Sequence, residues 1–261
     1  SDLAAAVSTV ACGECFPFER LPAPLQQQAG ELLLAALDSE ALYTLAAELK
    51  PMSSGFVSFK YPADQPEPSR LAELRQIFAQ WRCTDEVSAA LQSFNQVYAG
   101  ERYAEGVSIH GPRFAGTLRR YPTLFTEVGA QPAWTPIEVI NAVDADPTTR
   151  RFAAYGHLFG YPEYAVDFFV MAAEHERSTG MFVERDFIQI PTYVSDTGRF
   201  VYAVPKGHAE SEEDRALKQS AAQVLARVGS TRVGPGAARV ATASCLAMLR
   251  RGCSTEIGRA H

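Results

Sequence analysis

Apolar side chains recur along most of this chain at helical spacing, and in a few places they alternate as in a strand. Leu25, Leu32, Leu33 and Ala36 share one stripe, which predicts a helix over Leu25–Leu37. Asp38 or Ser39 caps a second, Glu40 to Leu49, and Pro51 ends it because the residue before proline avoids the helical region. Gly55 to Tyr61 alternates, with Val57, Phe59 and Tyr61 on one side, and predicts a strand. After the proline-rich loop 62–68, Leu71, Leu74, Ile77, Phe78 and Trp81 mark an amphipathic helix over Ser69–Trp81. Val87, Leu91, Phe94 and Val97 keep the same period and predict another over Asp85–Tyr98. A short strand at Gly106–His110 and a helix at Phe114–Phe125 follow.

Thr135-Pro136 and Asp146-Pro147 are helix starts, a capping residue followed by proline in the first turn. The second of these helices ends near Phe159-Gly160, and another begins at once after Gly160-Tyr161-Pro162, running to about Arg177. Phe187–Val194 and Arg199–Val204 alternate around the turn residues 195–198, a β-hairpin. Leu217, Ala221, Val224 and Val228 mark a last amphipathic helix, Ser211–Val228. The sum is an α+β fold: a helix-rich single domain over residues 25–228, packed around a small antiparallel sheet of three or four strands. Val57–Tyr61 and the hairpin are expected to supply most of that sheet. Residues 1–24 read as an irregular arm, broken by Pro17, Pro22 and Pro24. Residues 229–261, rich in Gly, Ala and Arg, read as a C-terminal extension, either a helix from Ala237 to Arg251 or an irregular tail.

With 261 residues, 47% of them apolar, the chain can bury a full core without staples. The net charge of -6, with basic residues scattered among acids, speaks against nucleic acid as a partner. No apolar run reaches the length of a bilayer span. Five cysteines, Cys12, Cys15, Cys83, Cys245 and Cys253, leave at least one unpaired within the chain. Cys12-Gly13-Glu14-Cys15 is expected to form a local disulfide or stay reduced; without a second C-x-x-C it cannot build a four-cysteine zinc site. The thiols and the abrupt start lean toward an exported or periplasmic location. The pattern carries no signal of oligomeric state.

Candidate chemistry centres on the helix after the Gly-Tyr-Pro corner. At 100° per residue, Glu163, Asp167 and Glu174 fall on one narrow strip, and most of the remaining circumference is apolar. Carboxylates on a buried helix need cations, a metal or a shared proton. His157 precedes the corner and His175 lies near the helix end. Oxygen and imidazole donors suit a divalent metal ion as cofactor, with Glu163, Asp167, Glu174 and His157 as ligands. Asp167, Glu174 and His175 are the candidate catalytic groups of a hydrolase. The bland alternative is a solvated helix face, with Glu163 at the positive end of the dipole and His175 at the other. Two loops add candidate binding residues: His110, at a strand end before Gly111-Pro112, and Lys50 and Ser53, between a helix and a strand. No G-x-S-x-G, H-E-x-x-H, G-x-x-x-x-G-K-[ST] or G-x-G-x-x-G occurs. The expectation is therefore a hydrolase with an acidic, divalent-metal-binding site. The competing reading is a non-catalytic module that binds a small molecule or a protein partner.

Overall fold

In the computed structural model, residues 15–83, 86–194 and 200–229 are described. The described residues run through a 3-10 turn (Phe18–Arg20), α1 (Ala23–Asp38), the one-turn α2 (Leu42–Leu45), β1 (Met52–Pro62), α3 (Ser69–Ala79), β2 (Arg82–Cys83), β3 (Val87–Ser93) and β4 (Glu101–His110). Then follow α4 (Gly111–Arg120), α5 (Pro122–Glu127), α6 (Pro136–Ala145), α7 (Arg150–Leu158), α8 (Glu163–Thr179), β5 (Arg185–Ile190), β6 (Phe200–Pro205) and α9 (Glu212–Gly229). The fold is α+β and helix-rich, as the periodicity predicts.

The strands differ from the expectation in two ways. They form two sheets, an antiparallel four-stranded one in the order β1-β4-β3-β2 and the separate hairpin β5-β6. The hairpin thus does not extend the sheet of β1. In addition, the segment predicted as a helix over Asp85–Tyr98 is strand β3. Both faces of that strand are covered, by α3 on one side and α6 on the other. A strand buried on two faces loses the alternation that would announce it. The second predicted helix shrinks to Leu42–Leu45, and the helix expected over Phe114–Phe125 breaks at Tyr121-Pro122 into α4 and α5.

The main core lies on one face of the four-stranded sheet, where Leu33, Leu37, Leu71, Leu74, Ile77 and Trp81 are buried with Phe200 and Val224. On the opposite face Met52, Val107 and Ile109 meet Phe114, Ile140, Val143 and Leu158 from α4 to α7. Strand β1 shifts register between Ser54 and Ser58. The bulge folds Phe56 and Val57 over Gly106, where a Cβ would lie 2.7 Å from Val57 Cγ1. Cys15 bonds to Cys83, 68 residues away, rather than to Cys12, which lies outside the described residues. The C-terminal extension beyond Gly229 lies outside them too.

Candidate metal centre

Strand β4 ends where α4 begins, and His110 stands at that junction. Its backbone N–H donates to Pro51 O at 2.9 Å, and Gly111 N–H donates to Glu86 O at 2.6 Å. These two bonds fix the imidazole between the loop before β1 and the loop before β3. The side chain is 4% exposed. Its Nδ1 accepts the amide of Arg113 at 3.3 Å and so caps α4. The proton then sits on Nε2, which points at Glu48 Oε1, 4.0 Å away. Glu86 completes the group: one ligand atom from each of Glu48, Glu86 and His110 lies within 4.8 Å of the others. Among the described residues it is the one such group of three acids, histidines or cysteines. Burial lowers the His110 pKa, with Glu48 and Glu86 pulling it up and Arg113 down. A neutral imidazole beside two exposed carboxylates is a donor set for a divalent cation. Glu48 itself adopts φ 52, a left-handed conformation that costs a side-chain-bearing residue about 1–2 kcal/mol.

The carboxylate strip on α8 has a different environment from the one inferred. Glu163, Asp167 and Glu174 are all exposed. Glu163 pairs with Arg120 Nη2 at 3.1 Å, and Glu174 accepts from Thr149 Oγ1 at 2.9 Å. The apolar flank is open as well, with Phe169 37% and Met171 49% exposed. The helix is therefore a surface helix, and the premise of desolvated acids does not hold. Length also separates them, because Glu163 and Glu174 stand about 16 Å apart along the axis at the usual rise. His157 is half-buried and stacks on Tyr121 with ring centroids 3.8 Å apart. Burial lowers its pKa against the pull of Glu163 and Asp167. His175 is partly exposed, and its carbonyl accepts from Ser178 and Thr179. These residues form a solvated, ion-paired face rather than a closed site.

Lys50 and Ser53 are inside the protein, not presented to a ligand. Both are fully buried. Lys50 Nζ donates to Glu40 Oε2 at 2.6 Å and stands 4.0 Å from the Phe200 ring centroid, with Phe159 and Tyr161 at 5.4 and 5.7 Å. Ser53 Oγ lies 2.6 Å from Thr44 Oγ1. The loop turns inward because Glu40, just before α2, and Thr44, within it, offer partners over the sheet.

Two further features stand apart from these candidates. Asp214 is fully buried and accepts from Tyr164 OH at 2.5 Å, Tyr202 OH at 2.6 Å and His208 Nε2 at 2.9 Å. It also accepts from Ser211 N and Oγ at 2.8 and 2.9 Å, while Ser211 Oγ takes the Asp214 amide. That reciprocal bonding is a capping box opening α9, with the sequence spacing S-x-x-D. Burial alone would raise this carboxyl; His208, the two tyrosines and Ser211 hold it well below the usual range. Between α7, α8 and β6 lies an apolar pocket of about 260 Å³, walled by Phe152, Tyr155, Phe159, Phe169, Phe187 and Ala203. Comparison of the chain with family models, with curated proteins and with solved structures found no match.

Proposed function

We propose that the protein binds a divalent cation through Glu48, Glu86 and His110, and that it is a hydrolase acting there. The observation that carries the reading is the convergence of one buried, backbone-anchored imidazole with two exposed carboxylates. Three protein ligands leave coordination positions open for water and substrate. Cation binding at Nε2 would move the His110 proton to Nδ1 and release the Arg113 amide, a loss of about 1 kcal/mol of capping. The Cys15–Cys83 bond accords with an oxidising compartment.

The test is thermal unfolding with and without Mn²⁺, Zn²⁺ or Ca²⁺. At a hundredfold excess over Kd, a cation should stabilise the native state by about 2.7 kcal/mol. Glu48→Gly should abolish that gain while leaving the cation-free Tm equal or higher, because glycine adopts the left-handed conformation freely. Asp167→Asn should leave the gain intact. The Arg113 amide resonance should shift on titration. No stabilisation by any of the three cations, or full retention in Glu48→Gly, overturns the reading.

A second reading, a non-catalytic small-molecule binding module, is favoured by the aromatic pocket beside α8.

A further inference from the structure

The pocket between α7, α8 and β6 is walled by aromatic and aliphatic side chains, and a guanidinium stands beside one of those walls. Phe187 and Ala203 face each other across the hairpin and both line it, as does Val201, paired with Gln189 on the same sheet face. Of the three tyrosines that line it, two have engaged hydroxyls: Tyr155 OH accepts from Gln92 Nε2 at 2.7 Å, and Tyr202 OH donates to Asp214. The interior therefore offers surface for hydrocarbon and little for hydrogen bonding. An apolar cavity of about 150 Å³ holds benzene, so 260 Å³ suits a body of roughly ten carbons.

Arg185 stands two residues before Phe187, on the same face of β5. Its guanidinium carbon lies 5.6 Å from the ring centroid of Phe169, a pocket wall, and 4.4 Å from that of Phe182. Nε donates to Val183 O at 3.1 Å, but Nη2 is buried without a hydrogen-bond partner. No carboxylate among the described residues pairs with it. Neighbouring Asp186 takes Lys206 Nζ and Gly207 N–H, both at 2.8 Å. A guanidinium is always charged, and one without a carboxylate partner can take an anion from the pocket beside it.

We propose that this pocket binds a compact apolar carboxylate, its hydrocarbon body among the rings and its anion held by Arg185. The proposal rests on the small-molecule reading and is independent of the cation site. Burial of the body supplies affinity, and a charge-assisted bond from the guanidinium supplies the preference for an acid.

Isothermal titration with 2-naphthoate, with neutral 2-naphthamide and with decanoate tests it. The unmodified protein should bind 2-naphthoate on the order of tenfold tighter than the amide. Arg185→Met keeps the stem against Phe169 and Phe182; it should leave amide binding within about twofold and bring the two ligands level. Decanoate bound in place of naphthoate, with the same loss in Arg185→Met, supports the carboxylate and assigns an acyl rather than an aromatic body. Equal binding of acid and amide by the unmodified protein, or a preference that survives Arg185→Met, overturns the role of Arg185 and leaves the pocket standing. Binding of none of the three overturns the pocket as a site, and the small-molecule reading with it.

Discussion

Lys50 offers the sharpest test of how the interior is held together. Its ammonium is fully buried, bonded to Glu40 at 2.6 Å and boxed by the rings of Phe159, Tyr161 and Phe200. Lys50→Met keeps the stem and removes the charge. It leaves the Glu40 carboxylate, whose side chain is 10% exposed, with no cation. Breaking one half of a buried pair costs about 3–5 kcal/mol, because the surviving charge is stranded. With an m-value of about 3 kcal/mol/M, the urea midpoint should fall by about 1 M or more. The double variant Lys50→Met/Glu40→Met should recover most of this, since an apolar replacement of the whole pair is often neutral or stabilising. The pH dependence supplies an independent check. Burial lowers the Lys50 pKa, against the opposing pull of Glu40. Between that lowered value and the ordinary 10.5, the unfolded chain binds a proton that the native state does not. Stability should therefore rise with pH through that window and be flat below it. Lys50→Met should lose the rise, and taking the difference between the two proteins cancels the buried tyrosines. A single substitution that costs less than about 1 kcal/mol, with no recovery in the double variant, would refute the picture.

Other substitutions probe separate parts of the fold. Asp214→Asn removes acceptor capacity from five donors and should cost about 2–4 kcal/mol in urea unfolding. The depressed Asp214 pKa gives the native protein stability that is present above the unfolded carboxyl value and lost as pH falls, so the variant's acid limb should be shallower. Gly160 has φ +75, and a Cβ there would lie 3.1 Å from Pro51 Cδ; Gly160→Ala should cost about 1–2 kcal/mol in the same assay. Reducing Cys15–Cys83, whose partners are 68 residues apart, should lower stability by up to about 4 kcal/mol with dithiothreitol, read by calorimetry.

The elements legible in the sequence are those with one wet face. Leu71, Leu74, Ile77 and Phe78 marked α3, and all four are buried. Thr135 and Glu138 close a capping box at the predicted start of α6. Strand β3 was hidden because α3 and α6 cover both its faces and its middle residues, Ser88, Ala89 and Ala90, are small. The separation of the two sheets was hidden because alternation says which way a side chain points, not which strand lies beside it. The candidate site divides in the same way. His110 could be picked out at a strand end before Gly-Pro, but Glu48 and Glu86 come from two other loops, and only the folded backbone brings them to it. On α8 the spacing puts the acids on one strip but does not decide between a buried strip and the solvated face that the structure has. Nothing in the helix itself says that Phe169 and Met171 face outward.

The disulfide has a meaning beyond chain entropy. Strand β2 is the outermost of its sheet and only two residues long. Phe16 N–H donates to Arg82 O at 2.7 Å, so the arm that Cys15 anchors occupies part of the edge's open ladder. Phe16 and Phe18 of the same arm cover Trp81, with ring centroids 6.0 and 6.1 Å away. Cys15–Cys83 is thus a latch on a strand edge. Once it is opened, the arm can lift to leave the Arg82 carbonyl unpaired beside a bared indole, a foothold for another copy's edge. Reduction would then be felt first as self-association of a still largely folded protein, before any loss of helix.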